Sequence, residues 1–347
     1  MYREVADPKW TELFSCFNRS CDPQLFKTDN FEFVRSGKSA ISLVLQFLKK
    51  EKWFMDKTEE ILVPKWIGSW VYAQMFFHIT PTTLISKNTK AIFVYHQYGF
   101  PQNMKKILEF ARENRLLIIE DCAHAIAGSY NNTPIGEWAD LTIYSFSKFF
   151  FSSALGGIRS KNKEFLEFVK DKKKNCSCFR SLFIDFSKLL ENFAIKWNNQ
   201  AMITLSQTCT PMAYSLYHYI YKAPTFSTKL ALNKLDNEIL TRRNYFELAK
   251  KELSQFGVFD KLLKDSDKDI SPYVIPLFLE DEKLNKLVVQ LKYNGFNTGV
   301  YWFDVERNMI SPKFEKCLWI LCHSGITSRD FEFQLSLIKD FLRNGYN

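Results

Sequence analysis

Apolar positions in residues 39–50 (Ala40, Ile41, Leu43, Val44, Leu45, Phe47, Leu48) recur at the spacing of one helix face. Four short apolar runs, Ile61–Pro64, Ala91–Tyr95, Leu116–Glu120 and Leu141–Ser145, read instead as buried strands. A helical pattern opens at Pro101 and Gln102 and runs to about Asn114, between the second and third of these strands. Strand, helix and strand in that order predict a parallel βαβ unit. From about residue 161 the pattern changes. Leu182, Phe183, Phe186, Leu189, Leu190, Phe193, Ile195 and Trp197 predict an amphipathic helix over residues 179–198, packed on protein in preference to a membrane surface. Residues 230–255 predict a long helix, Ser271–Phe278 a strand, residues 282–293 a helix, Trp319–His323 a strand, and a last helix starts near Arg329. The expected architecture is α/β. A large domain with a mainly parallel sheet spans residues 1–230, and a long connecting helix with a small C-terminal α+β domain spans residues 231–347.

Composition narrows the functional classes. Hydrophobic residues make up 46% of the 347, enough for a packed core and incompatible with global disorder. The net charge of +9 favours an anionic partner. Lys and Arg are dispersed and no RNA- or DNA-binding motif is present, so a phosphorylated small molecule is expected rather than nucleic acid. The eight cysteines (Cys16, Cys21, Cys122, Cys176, Cys178, Cys209, Cys317, Cys322) form no CxxC pair and no zinc spacing with histidine. No apolar signal segment opens the chain and no stretch reaches the length of a membrane span. A reduced, cytoplasmic protein without a metal site is therefore expected.

The candidate chemistry lies at predicted strand ends. Asp121 follows the run Leu116–Glu120, with His124 just beyond it, and Leu141–Ser145 delivers Ser145, Ser147 and Lys148. In open parallel sheets ligands gather at the carboxyl ends of strands. By position alone Asp121 could equally be a cap or turn residue. A carboxylate, an imidazole, a hydroxyl and an amine in this order are the equipment for holding pyridoxal 5'-phosphate (PLP): the lysine bonds the aldehyde, the aspartate pairs the pyridinium nitrogen, and hydroxyl or backbone N–H groups meet the phosphate. The loop Arg35-Ser-Gly-Lys38 before the first helix could hold that phosphate at a helix N-terminus, although a simple cap explains it as well. Gly156-Gly157 reads as a tight turn.

These segments resemble, in order, those of the DegT/DnrJ/EryC1/StrS family of PLP-dependent sugar aminotransferases. Ser36-Gly-Lys-Ser-Ala40 looks like the family's phosphate-side loop and Tyr95-His-Gln-Tyr-Gly-Phe-Pro101 like its H-x-Y-G segment. Ile118-Ile-Glu-Asp-Cys-Ala-His-Ala125 looks like I-E-D-x-A-[QH]-A. Gly136 to Asp140, Tyr144 to Lys148 and Gly156-Gly157 follow G-x-x-x-D, S-F…K and G-G. Thr298–Trp302 and Cys322–Thr327 are similar to its C-terminal segments. The resemblance covers most of the chain and implies an aspartate-aminotransferase-like fold (PLP fold type I) and a homodimer. It implies Lys148 as the Schiff-base lysine and proton shuttle, Asp121 on the pyridine nitrogen, and His124 on the ring or its hydroxyl. Ser145, with Gly37 and Lys38, would lie on the phosphate. The implied reaction moves an amino group from glutamate or glutamine to a keto group of a nucleotide-linked sugar or a related phosphorylated carbonyl compound.

The chain also departs from the pattern. Ser145 lies three residues before Lys148, a spacing shared with a branch that also carries an element like Arg242-Arg-Asn-Tyr245. Lys38 replaces a small hydroxyl residue. The stacking aromatic would fall at Gly68, where Trp66, Trp70 or His124 could substitute. No G-Y-N-x-R segment is recognisable near residues 223–230. Two further readings stay open: a PLP-dependent dehydratase or other lyase, against which Lys148 argues, and a catalytically degenerate member that binds or regulates.

Overall fold

The computed structural model describes residues 2–6, 29–149, 155–174 and 177–344. Its centre is a seven-stranded sheet of order β1-β9-β8-β5-β4-β2-β3. The strands are β1 (Phe31–Val34), β2 (Glu60–Leu62), β3 (Thr80–Thr82), β4 (Thr89–Tyr95), β5 (Leu117–Asp121), β8 (Leu141–Ser145) and β9 (Gly156–Ser160). The five strands from β8 to β3 run parallel, and β9 pairs antiparallel with both β8 and β1.

Alternation along β4 shows why this sheet needs helices on both faces. Ala91 and Phe93 pack with Ile119, Ile143 and the apolar side of α1 (Gly37–Lys50). Ile92 and Val94 point the other way, onto Met104, Ile107 and Ala111 of α3 (Met104–Glu113). The helix α2 (Ser69–Phe76) lies between them in the chain. Strands buried on both sides are apolar throughout, so these runs were readable as strands.

Two short strands, β6 (Ser129–Tyr130) and β7 (Thr133–Pro134), join β10 (Asp267–Lys268) in a small sheet. After β9 come α4 (Lys163–Lys174), α5 (Cys178–Trp197) and α6 (Gln200–Leu216). The last two form a hairpin held by Ile184, Ala213, Tyr217 and Ile220. On α5 the buried positions are Ile184, Ser187, Leu190 and Ala194, while Leu182, Phe186 and Trp197 are exposed. The buried face is thus rotated from the aromatic stripe that the sequence emphasised, because α6 supplies the partner surface.

The long helix α7 spans Thr225–Leu253, so residue 230 lies inside one continuous helix. It leads to an antiparallel sheet of β11 (Ile275–Leu277), β13 (Phe314–Ile320) and β12 (Val300–Asp304), flanked by α8 (Asp281–Tyr293) and α9 (Ser328–Arg343). One apolar core joins these elements to the sheet's ligand edge through Tyr98, Ala125, Phe149, Phe246, Tyr273 and Phe303. Among the described residues, no helix is long and apolar enough to cross a membrane. Cys122, Cys209, Cys317 and Cys322 are free and buried, and Cys178 is free and exposed. Cys16, Cys21 and Cys176, together with Phe150 and Phe151 after the lysine, lie outside the described residues.

Candidate active site

The register of the sheet brings three strand ends to one edge. Tyr95 pairs with Asp121, and Asp121 pairs with Ile143, so β4 and β5 finish together and β8 runs two residues further, to Ser145. After Ser145 the chain turns through a short 3-10 segment, Phe146–Lys148, which sends Lys148 over that edge. The N-terminus of α1 abuts the same place. Ser36 caps it, its side chain accepting from the Ser39 N–H.

Two glycines permit this approach. A Cβ on Gly37 would sit 3.0 Å from the Ser145 Cβ. A Cβ on Gly156 would come within 2.2 Å of the Ser36 carbonyl carbon, which no side chain can do. Gly156 and Gly157 are strand residues of β9, with Gly157 against the Phe31 ring, and not a turn. They let β9 pass beneath the α1 loop.

The result is a cavity of about 340 Å³. Gly37, Lys38, Ser145 and Lys148 all line it, as do Ser36 and Ser147. Its other walls come from places the sequence did not flag: Arg3–Ala6, Lys188, Glu191 and Asn192 of α5, Tyr214 and Tyr217 near the end of α6, and Tyr273 before β11. The buried Arg35 ties α5 to this edge, donating to Asp185 at 2.7 Å and to the Ser181 carbonyl at 3.1 Å. Asp121 and His124 stand behind the wall, close enough for the charge of Lys148 to act on both.

The electrostatics follow from crowding cations in a walled space. Lys148 is reached by solvent through the cavity mouth, yet the surrounding walls and Lys188 lower its pKa, against Glu4, Asp121 and Glu191. Burial, Lys148 and Lys188 bring Lys38 down to about 7, and its ammonium sits 3.8 Å from the Tyr214 ring centroid. Burial pushes the Asp121 carboxyl up to about 7, opposed by the Ala123 N–H (2.9 Å) and by Lys148. Burial, with Lys148 and Arg242 adding to it, keeps His124 neutral by holding it well below the ordinary imidazole value. An amine made easier to deprotonate at the cavity wall suits proton transfer, and a carboxyl that burial makes harder to ionise gains from a cationic partner.

Residues 78–204 match the model of the DegT/DnrJ/EryC1/StrS aminotransferase family. The match covers less than half of the chain. GDP-perosamine synthase of Escherichia coli O157:H7 is 40% identical over 62 residues, covering 18% of this chain and 17% of that protein. The dTDP-4-dehydro-2,3,6-trideoxy-D-glucose 4-aminotransferase of Saccharopolyspora spinosa is 30% identical over 132 residues, 33% of each chain. The matched stretches therefore span a third or less of these two relatives. The whole chain superposes on Helicobacter pylori PseC, an aminotransferase involved in the biosynthesis of pseudoaminic acid, with a TM-score of 0.65 at 12% identity over 99% of both chains. Spr1654 of Streptococcus pneumoniae in its PLP form gives 0.64 at 14% identity, again over 99% of both. These likenesses establish the fold: aspartate-aminotransferase-like, PLP fold type I.

The motif residues divide into site and scaffold. His96 of the H-x-Y-G segment is fully buried. Its Nε2 donates to Glu120 Oε1 at 2.9 Å and its Nδ1 accepts the Gln102 N–H at 3.1 Å. Glu120 also accepts from the Gly136 and Trp138 N–H groups, at 2.6 and 3.0 Å. His96, Glu120 and Cys122 are near enough to share a metal ion, but these bonds already occupy the imidazole and the carboxylate. Neither Trp66 nor Trp70 lines the cavity; Trp70 packs edge-on against Tyr214 at 4.7 Å. Arg242 of the Arg-Arg-Asn-Tyr element is buried and bonded to Glu238. It donates to the carbonyls of Phe149 (3.3 Å), Pro272 (3.1 Å) and Tyr273. It therefore fixes the chain just after Lys148 and the segment that brings Tyr273 to the site.

Proposed function

We propose that the protein is a PLP-dependent aminotransferase that passes an amino group from an amino acid, glutamate or glutamine, to a keto group on a nucleotide-linked sugar or a related phosphorylated carbonyl compound. The observation that carries this reading is the convergence of Lys148, Ser145 and Gly37 on one cavity, with Asp121 at the neighbouring strand end.

The residues fit the cofactor. Asp121 is 3% exposed and its carboxyl has one hydrogen bond among the described residues, so it can take a cationic ring nitrogen. Gly37 leaves a side-chain-free cradle against Ser145 at the positive end of a 14-residue helix, the surroundings a phosphate needs. When bound, PLP supplies an aldehyde that condenses with amines and a ring that withdraws electrons from the adjoining carbon.

The protein's own residues supply the rest. Lys148 Nζ, with its depressed pKa, takes a proton from the amino-bearing carbon of the donor and returns one on the acceptor side. Asp121 holds the ring nitrogen in its protonated form. Lys38, Lys188 and Asn192 line the cavity around Lys148 and suit an anionic substrate, as does the net charge of +9. By family likeness we also assign a homodimer.

The test is spectroscopic. Purified protein incubated with PLP should show a visible band that glutamate or glutamine bleaches, and a keto-sugar nucleotide should restore it. Lys148→Ala should lose the band and turnover. A protein that binds no PLP would sink the proposal. One whose band no amino donor changes would point to a lyase or a regulatory member.

A further inference from the structure

His124 is held by a bond that the motif roles do not account for. Its Nδ1 lies 2.5 Å from the hydroxyl of Tyr95, the last residue of β4. Its ring stacks on Tyr273 at 4.3 Å and lies nearly parallel to Tyr98 at 6.0 Å.

The direction of the short bond can be worked out. A phenol has one proton to give, and a neutral imidazole has one nitrogen that donates and one that accepts. If His124 donated to the Tyr95 hydroxyl, the phenol proton would have no acceptor among the described residues. An unpaired buried hydroxyl proton is costly, because it loses its bond to water and gains none in return. If Tyr95 donates to Nδ1, the phenol proton and that nitrogen are both satisfied, and the His124 proton must be on Nε2, where it is free to donate to a bound group. Burial keeps the phenol protonated and His124 neutral, consistent with that assignment.

The turn after β4 is shaped to support this. Tyr98 adopts a left-handed backbone (φ 55, ψ 18), uncommon for an aromatic residue, and Gly99 follows at φ 95. A Cβ on Gly99 would approach the Tyr273 N at 2.9 Å and the His124 carbonyl oxygen at 2.9 Å. The Tyr98 carbonyl accepts from the Tyr273 N–H at 2.9 Å, and its hydroxyl donates to the Trp302 carbonyl at 3.1 Å. Backbone strain of this kind persists where the surroundings over-determine it, often beside a functional group.

We infer that Tyr95 is a positioning residue that fixes His124 as its Nε2–H tautomer, so that the ring offers a donor, not an acceptor, to a group bound against Asp121 and Lys148. The choice matters for a cofactor with an anionic ring oxygen, and to that extent the inference rests on the proposed function.

The first readout needs no cofactor. Nitrogen NMR of ¹⁵N-histidine protein, with His124 assigned by His124→Gln, should show an unprotonated, hydrogen-bonded Nδ1 and a protonated Nε2. Tyr95→Phe should move the Nδ1 signal toward that of a free unprotonated nitrogen. If PLP binds, Tyr95→Phe should raise its dissociation constant about two- to tenfold, the worth of a typical hydrogen bond. A wild-type His124 protonated on Nδ1, or a Tyr95→Phe spectrum with Nδ1 unmoved, would overturn the inference whether or not PLP binds. If Tyr95→Phe does not fold, the wild-type tautomer still decides.

Discussion

The raised pKa of Asp121 makes a prediction that can be read before any substrate is known. The carboxyl moves from 3.8 to about 7 because folding strips it of water and returns only one N–H bond and the charge of Lys148. The linkage has a definite sign. Between pH 4 and 7 the unfolded chain ionises Asp121 while the folded chain retains its proton. Stability therefore falls as pH rises through that window, and the loss is complete above pH 7. At about 1.4 kcal/mol per pH unit the loss comes to about 4 kcal/mol. Asp121→Asn removes the titration and keeps the shape. Urea denaturation of the cofactor-free proteins from pH 4.5 to 8 should show Asp121→Asn gaining on the wild type by several kcal/mol as pH rises. Bound PLP gives the ionised carboxylate a cationic partner, so the ligand should raise the wild-type melting temperature more at pH 8 than at pH 5. Parallel pH profiles for wild type and Asp121→Asn would refute the reasoning, because the carboxyl would then be titrating as it does in water.

Other substitutions probe the supports of the site. Arg242→Met leaves Glu238 buried without its partner and should lower stability by about 3–5 kcal/mol in urea titrations. Gly37→Ala puts a Cβ 3.0 Å from the Ser145 Cβ, so Ser145 must shift; it should weaken PLP binding, measured by absorbance titration, with a smaller fall in melting temperature than Gly156→Ala. Gly156→Ala meets the Ser36 backbone at 2.2 Å and should impair folding itself, read as lost soluble yield or a large fall in melting temperature. With PLP and donor present, turnover by Asp121→Asn should fall well below wild type even when the cofactor is saturating, because an amide cannot hold the ring nitrogen protonated. Equal turnover would remove Asp121 from its assigned role.

What the sequence disclosed depended on how local the signal was. Asp121, Ser145 and Lys148 were legible because an apolar run marks a strand and its carboxyl end marks the ligand edge. Gly37 was legible because it opens a helix. Tyr95 was in view as the end of a strand, but its bond to His124 depends on β4 and β5 pairing in one register. Tyr273, Lys188 and Tyr214 reach the cavity from elements far along the chain, and only the packing of the α5–α6 hairpin and the Arg242 contacts brings them there. The Gly156-Gly157 pair was misread because glycine marks tight turns and close backbone approach alike, and neighbouring residues do not distinguish them. His96 stood inside a site motif yet serves the scaffold, a division set by the position of Glu120 and invisible in spacing.

The central claim is that Lys148 is the amine that bonds the cofactor. Borohydride reduction of the PLP-loaded protein, followed by peptide mass spectrometry, tests it directly. The account predicts a pyridoxyl group on Lys148, with Lys38 and Lys188 unmodified although they line the same cavity. A pyridoxyl group on either of those lysines, or on none, would contradict it.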